Sequence, residues 1–414
     1  MINIMITCWS HSTVICCDCI TGERRRLKST AVPSVFSFRR TDDAKDCRRR
    51  PRKRVSTAAE FSLDDPVLTL SAETDVGMEI DITEEPDEEQ EADSDSDTQT
   101  STAVGVQCEL MTPKGNRLSV RDYETRPDVI SYYTGFDNFA HYMLFFQILG
   151  PATNCLSYQF SALEPVDQLF LTLMKLRQGK DNFELSLLFN ISQSTIASIF
   201  RTWINFLYFQ LREINIWPSR EVVQQHMPEG FARLFGNTRV ILDATEIPIA
   251  KPADVNAQSS TFSTYKNRNT LKTMIGCTPR GLISFIGDSY GGVASDRQLI
   301  ERSSLCNDNG MFDSGDAIMA DRGIMVQDLF ASKDVAVNTP KMLKGKSRFE
   351  PQDIIRDRRI ASKRIHVERV IGLSKTFKIL KKELPASTRA LGSRLIYVCF
   401  MLSNFRTCIV HKQA

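Results

Sequence analysis

From Thr238 to Val410 short β-branched runs alternate with helical segments, and their order restricts the fold more than any other property of the chain. RVILDATEIPI (Arg239 to Ile249) has the alternation and branching of a strand. STYKNRNTLKTMIGCTP (Ser263 to Pro279) and GLISFIGDSYGG (Gly281 to Gly292) follow as antiparallel neighbours, the second turning at Pro279-Arg280-Gly281. SDRQLIERSSL (Ser295 to Leu305) opens on a Ser cap and reads as a helix. DAIMADRG (Asp316 to Gly323) gives a fourth strand and VAVNTP (Val335 to Pro340) a fifth. A long helix begins near Pro351-Gln352-Asp353.

Three antiparallel strands, a helix, a strand, a helix, a strand and a final helix is the order of ribonuclease-H-like folds. The expectation for residues 236–410 is therefore an α/β domain with a mixed five-stranded sheet and flanking helices. In that fold carboxylates from the first strand, the fourth strand and a late helix converge on a metal pair, and Asp243, Asp321 and Glu368 occupy those places. Hard oxygen ligands suit Mg²⁺ or Mn²⁺, which bind substrate phosphates and stabilise both oxygens of an in-line phosphoryl displacement. Glu368 is the sole acid in ASKRIHVERVIGLSKTFKIL (Ala361 to Leu380), with Arg364 and Lys375 on its helical face, placed to hold a phosphate backbone. Each carboxylate alone has a plainer account: Arg364–Glu368 is an ordinary i,i+4 pair, Asp243 a strand-end residue, and Asp321 a turn former before Gly323. Their joint placement favours the site. Asp296 reads as a helix-start group, and Asp288 and Glu246 as weaker candidates.

Upstream, residues 114–160 read as a helical connecting region and residues 161–212 as a helix-turn-helix. In the second, Pro165 fits a first helical turn, Phe183 to Phe189 makes a short helix, and Asn190 suits a left-handed turn. Ser192 is placed to cap a third helix from Gln193 to about Leu207, which buries Ile196, Ile199, Phe200 and Trp203. Gln193, Ser194, Thr195, Ser198 and Arg201 then face outward, where a recognition helix reads the major groove. A three-helix packing unit without DNA contact has the same pattern.

Charge divides the remainder. Residues 1–54 hold 13 Lys/Arg against 5 Asp/Glu, and residues 55–113 hold 17 Asp/Glu with no Lys or Arg. Residues 41–113 read as a linker, basic and then acidic, whose acidic part has too little apolar content for a core. The rest carries 39 basic and 28 acidic residues, a balance that suits a polyanion partner. RRRPRKR (Arg48 to Arg54) reads as a nuclear-import run. The scattered cysteines fit reduced thiols inside a cell. The longest strongly apolar run, LIYVCFML (Leu395 to Leu402), is too short to span a bilayer, so no membrane is expected.

The segments LDATEIPI, TYKNRNTLKTMIGCTPRGLISFIGDSYGGVASDRQL, GDAIMADRG and RRIASKRIHVERVIGLSKTFKIL resemble the DDE endonuclease domain of Harbinger/PIF-type transposases. DQLFLTLMKLRQGKDNFELSLLFNISQSTIASIF is similar to that family's helix-turn-helix. The resemblance implies Asp243, Asp321 and Glu368 as catalytic triad and metal ligands, with two divalent ions. ICCDCITGERRRLKSTAVPSVF (Ile15 to Phe36) resembles the last third of a THAP zinc finger, so residues 1–40 are expected to be a truncated remnant. The family's final zinc pair would fall on Cys16 and Cys19, but the first Cys pair is missing and Zn²⁺ is not expected.

The function expected is metal-dependent hydrolysis and strand transfer on double-stranded DNA in the nucleus, at terminal inverted repeats and target DNA. An accessory DNA-binding protein and a second copy of the chain are further candidate partners, and the sequence does not set the oligomeric state. The rival is a catalytically silent, domesticated DNA-binding protein, and a nuclease that nicks without transposing stands between them.

Overall fold

The computed structural model describes residues 117–158, 160–307, 310–341 and 350–410, together with two paired two-residue strands, Ile20–Thr21 and Arg26–Leu27. Cys16, Cys19 and the whole linker of residues 41–113, with its Arg48–Arg54 run, lie outside the described residues.

The helical half opens with α1 (Pro127–Thr134) and α2 (Phe139–Ile148) and continues as α3 (Pro165–Gln178), α4 (Asn182–Phe189) and α5 (Gln193–Arg212). Local chemistry sets each boundary. Gly179 ends α3 in the left-handed region at φ +64°, and Asp181 caps α4 by accepting the Glu184 N–H. Asn190 turns the chain at φ +49°, and Ser192 caps α5 through the Thr195 N–H at 3.1 Å. The last helix runs five residues past Leu207, because Leu207 and Leu211 extend the buried stripe begun by Ile196, Ile199, Phe200 and Trp203. Trp203 Nε1 donates to Gln168 Oε1 at 3.1 Å, tying α5 to α3 inside the core.

After α6 (Arg220–Gln225) and α7 (Glu229–Phe235) the chain enters the sheet at β1 (Thr238–Pro248). There follow α8 (Val255–Thr261), β2 (Phe262–Ser263), β3 (Arg268–Cys277) and β4 (Ile283–Gly291). Next come α9 (Asp296–Glu301), α10 (Ser304–Asn307), β5 (Ala317–Ala320), α11 (Gln327–Ala331) and β6 (Ala336–Asn338). The long α12 (Pro351–Ser374), then α13 (Ala386–Arg389) and α14 (Gly392–Ser403), complete the described fold. The main strand order is β4-β3-β1-β5-β6, antiparallel from β4 to β1 and parallel from β1 to β6. This is the mixed ribonuclease-H-like sheet that the order of segments implied. It has six strands rather than five, since the short β2 pairs with Arg268 and Asn269 at the start of β3.

The helix expected over Ser295 to Leu305 is two short helices. Ser303 Oγ donates to the Ile300 carbonyl at 2.7 Å, a local bond that competes with the helical ladder.

Both faces of the sheet are covered. Ile241, Ile247, Ile249 and Ile275 meet α12 and α14 on one side; Val240, Leu242, Ile318 and Ala320 meet Leu299, Ile300 and Phe330 on the other. Double burial explains why AIMA in β5 is continuously apolar instead of alternating. The first core continues without a break into the helical half, where α14 packs on α5. Among the described residues no helix is long and apolar enough to cross a membrane.

Candidate active site

Three elements deliver the carboxylates. β1 and β5 are parallel neighbours with Leu242 opposite Ala320, so Asp243 and Asp321 are the next residues along two adjacent strands. Strands so paired lie about 4.8 Å apart and point equivalent side chains to the same face. Asp321 follows the end of β5, where the backbone turns and Ile324 N–H donates to the Asp321 carbonyl. Glu368 comes from α12, whose adjoining face buries Ile360, Val367, Val370 and Ile371. The turn at Pro279-Arg280-Gly281 fixes that helix: buried His366 donates from Nδ1 to the Pro279 carbonyl at 2.8 Å.

One side chain measures the convergence. The Arg364 guanidinium lies 2.8 Å from Glu368 Oε1, 3.5 Å from Asp321 Oδ1 and 3.6 Å from Asp243 Oδ1. Three carboxylates remote along the chain therefore surround a single cation. Lys375 sits further along the same helical face, its Nζ donating to the Glu246 carbonyl at 3.4 Å. Burial, with the nearby Lys266 ammonium, lowers its pKa.

Residues 242–404 match the family model described as DDE superfamily endonuclease, and residues 161–213 match the model for the helix-turn-helix of DDE superfamily endonuclease. The chain carries a DDE superfamily endonuclease domain preceded by its transposase helix-turn-helix. A search of curated proteins returned no match.

The donor chemistry of the endonuclease domain suits a hard divalent cation: three carboxylates, with one guanidinium to offset them. Among the described residues no three such side chains are arranged to hold a metal ion as they stand, because Arg364 lies between the oxygens. Burial is the main cause that pushes the Asp243 carboxyl up to about 6; Asp321 and Glu368 push the same way, and Arg364 opposes them. An acid with a raised folded-state pKa binds its proton more tightly folded than unfolded. It therefore stabilises the fold at low pH and loses that contribution as pH rises from about 4 through about 6. In EDTA, the thermal midpoint of wild type relative to Asp243→Asn is expected to fall across that window. A flat difference from pH 4 to 7 would show that Asp243 ionises like a solvated carboxylate.

Of the residues assigned to DNA on the helix-turn-helix, Gln193, Ser194 and Arg201 are exposed, while Thr195 and Ser198 are half-buried. Thr195 Oγ1 lies 2.9 Å from the capping Ser192 Oγ, so its hydroxyl is partly committed to the turn. Arg364 points inward to the carboxylates, a position that helical spacing alone could not give. Asp296 begins α9 and pairs with Lys272 Nζ at 2.6 Å. Glu246 accepts from Thr270 Oγ1 at 2.9 Å, and Asp288 is exposed on β4. The hairpin tip carries Tyr265 beside Lys266, an aromatic next to a lysine that the order of strands and carboxylates does not single out.

Proposed function

We propose that the chain is a Harbinger/PIF-type transposase, or a nuclease derived from one, that cuts double-stranded DNA at the Asp243–Asp321–Glu368 site. The observation that carries this reading is the single guanidinium touching all three carboxylates. Asp243, Asp321 and Glu368 would hold Mg²⁺ or Mn²⁺, which when bound supplies charge stabilisation to a phosphate undergoing in-line displacement. The chain's own residues position the substrate. Gln193 and Arg201 engage the recognised duplex, and Lys375 faces the phosphates beside the carboxylates. Arg364, once the carboxylates are otherwise neutralised, is free to turn to the phosphodiester. Water attacks phosphorus and the P–O3′ bond breaks, leaving a 3′-hydroxyl and a 5′-phosphate. That hydroxyl can attack a second phosphodiester and displace its 3′-oxygen, which leaves as a hydroxyl, without an enzyme-bound covalent intermediate. The basic run Arg48 to Arg54 supports a nuclear setting.

A silent DNA-binding protein is the second reading, and Arg364 favours it by already offsetting the acids it touches. Labelled terminal-repeat duplex incubated with purified protein and Mn²⁺ separates the two. Strand cleavage with 3′-hydroxyl ends, lost in EDTA, supports the nuclease; binding without nicking supports the rival.

For the helix-turn-helix, Arg201→Ala is expected to weaken duplex binding about fivefold to tenfold and reduce its salt dependence, with the thermal midpoint unchanged. Unaltered affinity for both Arg201→Ala and Gln193→Ala would return this region to a packing unit.

A further inference from the structure

Beyond the carboxylates lies a hairpin that none of the assigned roles uses. Phe262 pairs with Asn269 and Ser263 with Arg268, and the turn between them is braced by the Lys266 N–H donating to Ser263 Oγ. Its base is anchored by buried Asn269, whose side-chain amide donates to the Gln258 carbonyl at 2.7 Å and to Thr261 Oγ1 at 2.8 Å. Asn267 takes the left-handed conformation at φ +51°, which Asn tolerates better than most residues. The tip is thus held at its base, while all five residues 264–268 are exposed.

Tyr265 on that tip is 82% exposed, more than any other large apolar side chain among the described residues. Lys266 Nζ lies 4.4 Å from its ring centroid, on one face. Arg268 adds a second positive charge, and the tip has no acid. Among the described residues neither Lys266 nor Arg268 has a carboxylate partner, and two such cations select an anionic partner. A planar face beside phosphate-binding charges is the combination that engages single-stranded nucleic acid.

The hairpin's place relative to the site completes the case. β3 runs antiparallel to β1, with Ile275 opposite Asp243 and Thr270 opposite Pro248. The tip therefore lies beyond the end of β1, and the strand from Asp243 to Pro248 alone spans roughly 17 Å. Lys375, bonded to the Glu246 carbonyl, stands between, close enough to Lys266 for the two ammonium groups to repel. Along α12, Gly372 follows Glu368 by one turn. It is exposed, and a Cβ there would meet nothing within 4 Å.

We propose that the Tyr265 hairpin is a second DNA contact of the endonuclease domain. Its ring stacks on an unpaired base several nucleotides from the scissile phosphate, and Lys266 and Arg268 hold the adjoining phosphates. This rests on the reading that the domain acts on DNA.

The test uses the full chain in EDTA, with a forked duplex carrying 2-aminopurine in its unpaired arm and a fully paired duplex of equal length. Wild type should quench the probe in the arm. Tyr265→Ala should abolish the quench and weaken binding to the fork about tenfold, leaving the paired duplex within about twofold. Tyr265→Phe, which keeps the ring, should behave as wild type. Wild-type binding to both DNAs with no effect of Tyr265→Ala would overturn the hairpin contact and leave the DNA reading standing. If wild type bound neither DNA, both would fall.

Discussion

Asp321→Asn is expected to cut metal-dependent DNA cleavage by at least about 10³-fold while leaving the fold and duplex binding intact. The substitution keeps shape and volume and removes only the charge and the anionic oxygen. Asp321 is half-exposed, just past the end of β5, so it leaves no cavity. Its partner in the structure is a guanidinium held closer by Glu368 and also near Asp243, so Arg364 keeps two acids after the change. The metal-free protein should lose little stability, since one of three crowded negative charges disappears. Glu368→Gln should behave alike, except that it also removes the tightest contact of Arg364, at 2.8 Å. The measurement is single-turnover cleavage of labelled duplex in Mn²⁺, beside a binding isotherm in EDTA. Activity within a few-fold of wild type for both variants would mean the chemistry lies elsewhere.

The parts of this site legible in the sequence were those that depend on chain order. RVILDATEIPI could only be a strand, and its place before two antiparallel strands assigned Asp243 to the first position of the sheet. What sequence could not give was the direction of Arg364. Spacing offered an i,i+4 pair with Glu368 or a phosphate contact, and the pair exists. That the same guanidinium reaches Asp243 and Asp321 depends on β1 and β5 being parallel neighbours under α12. The α8–β2 insertion was missed for another reason. VNAQSST is polar and short and buries only Thr261, so no periodicity marks it, although Asp254 does cap it through the Ala257 N–H.

Trp203→Ala is expected to destabilise the helical half and the endonuclease domain together, by about 3–5 kcal/mol or about 6–10 °C in midpoint, in one transition. Trp203 is fully buried, and losing its indole strands Gln168 Oε1 in the core as well as opening a cavity. The loss is shared because the two halves have no seam. Tyr208 of α5 meets Tyr397 of α14 edge-to-face at 5.2 Å, and Arg394 of α14 donates to Asn205 of α5. Lys378 Nζ donates to Gln178 Oε1 at 2.6 Å, and Lys382 Nζ to the Gly179 carbonyl at 2.8 Å. Trp203, Ile396 and Phe400 belong to one apolar cluster that reaches Ile275 beneath the sheet. Calorimetry should give a single peak for wild type and for the variant. Two peaks, with only the first moved by Trp203→Ala, would mean the helix-turn-helix is a tethered module. A shared core also carries a functional consequence. It fixes the N-terminus of α5 at one distance and angle from the three carboxylates, so under the proposed function the spacing between the bound duplex and the cleaved bond is set by packing rather than by a linker.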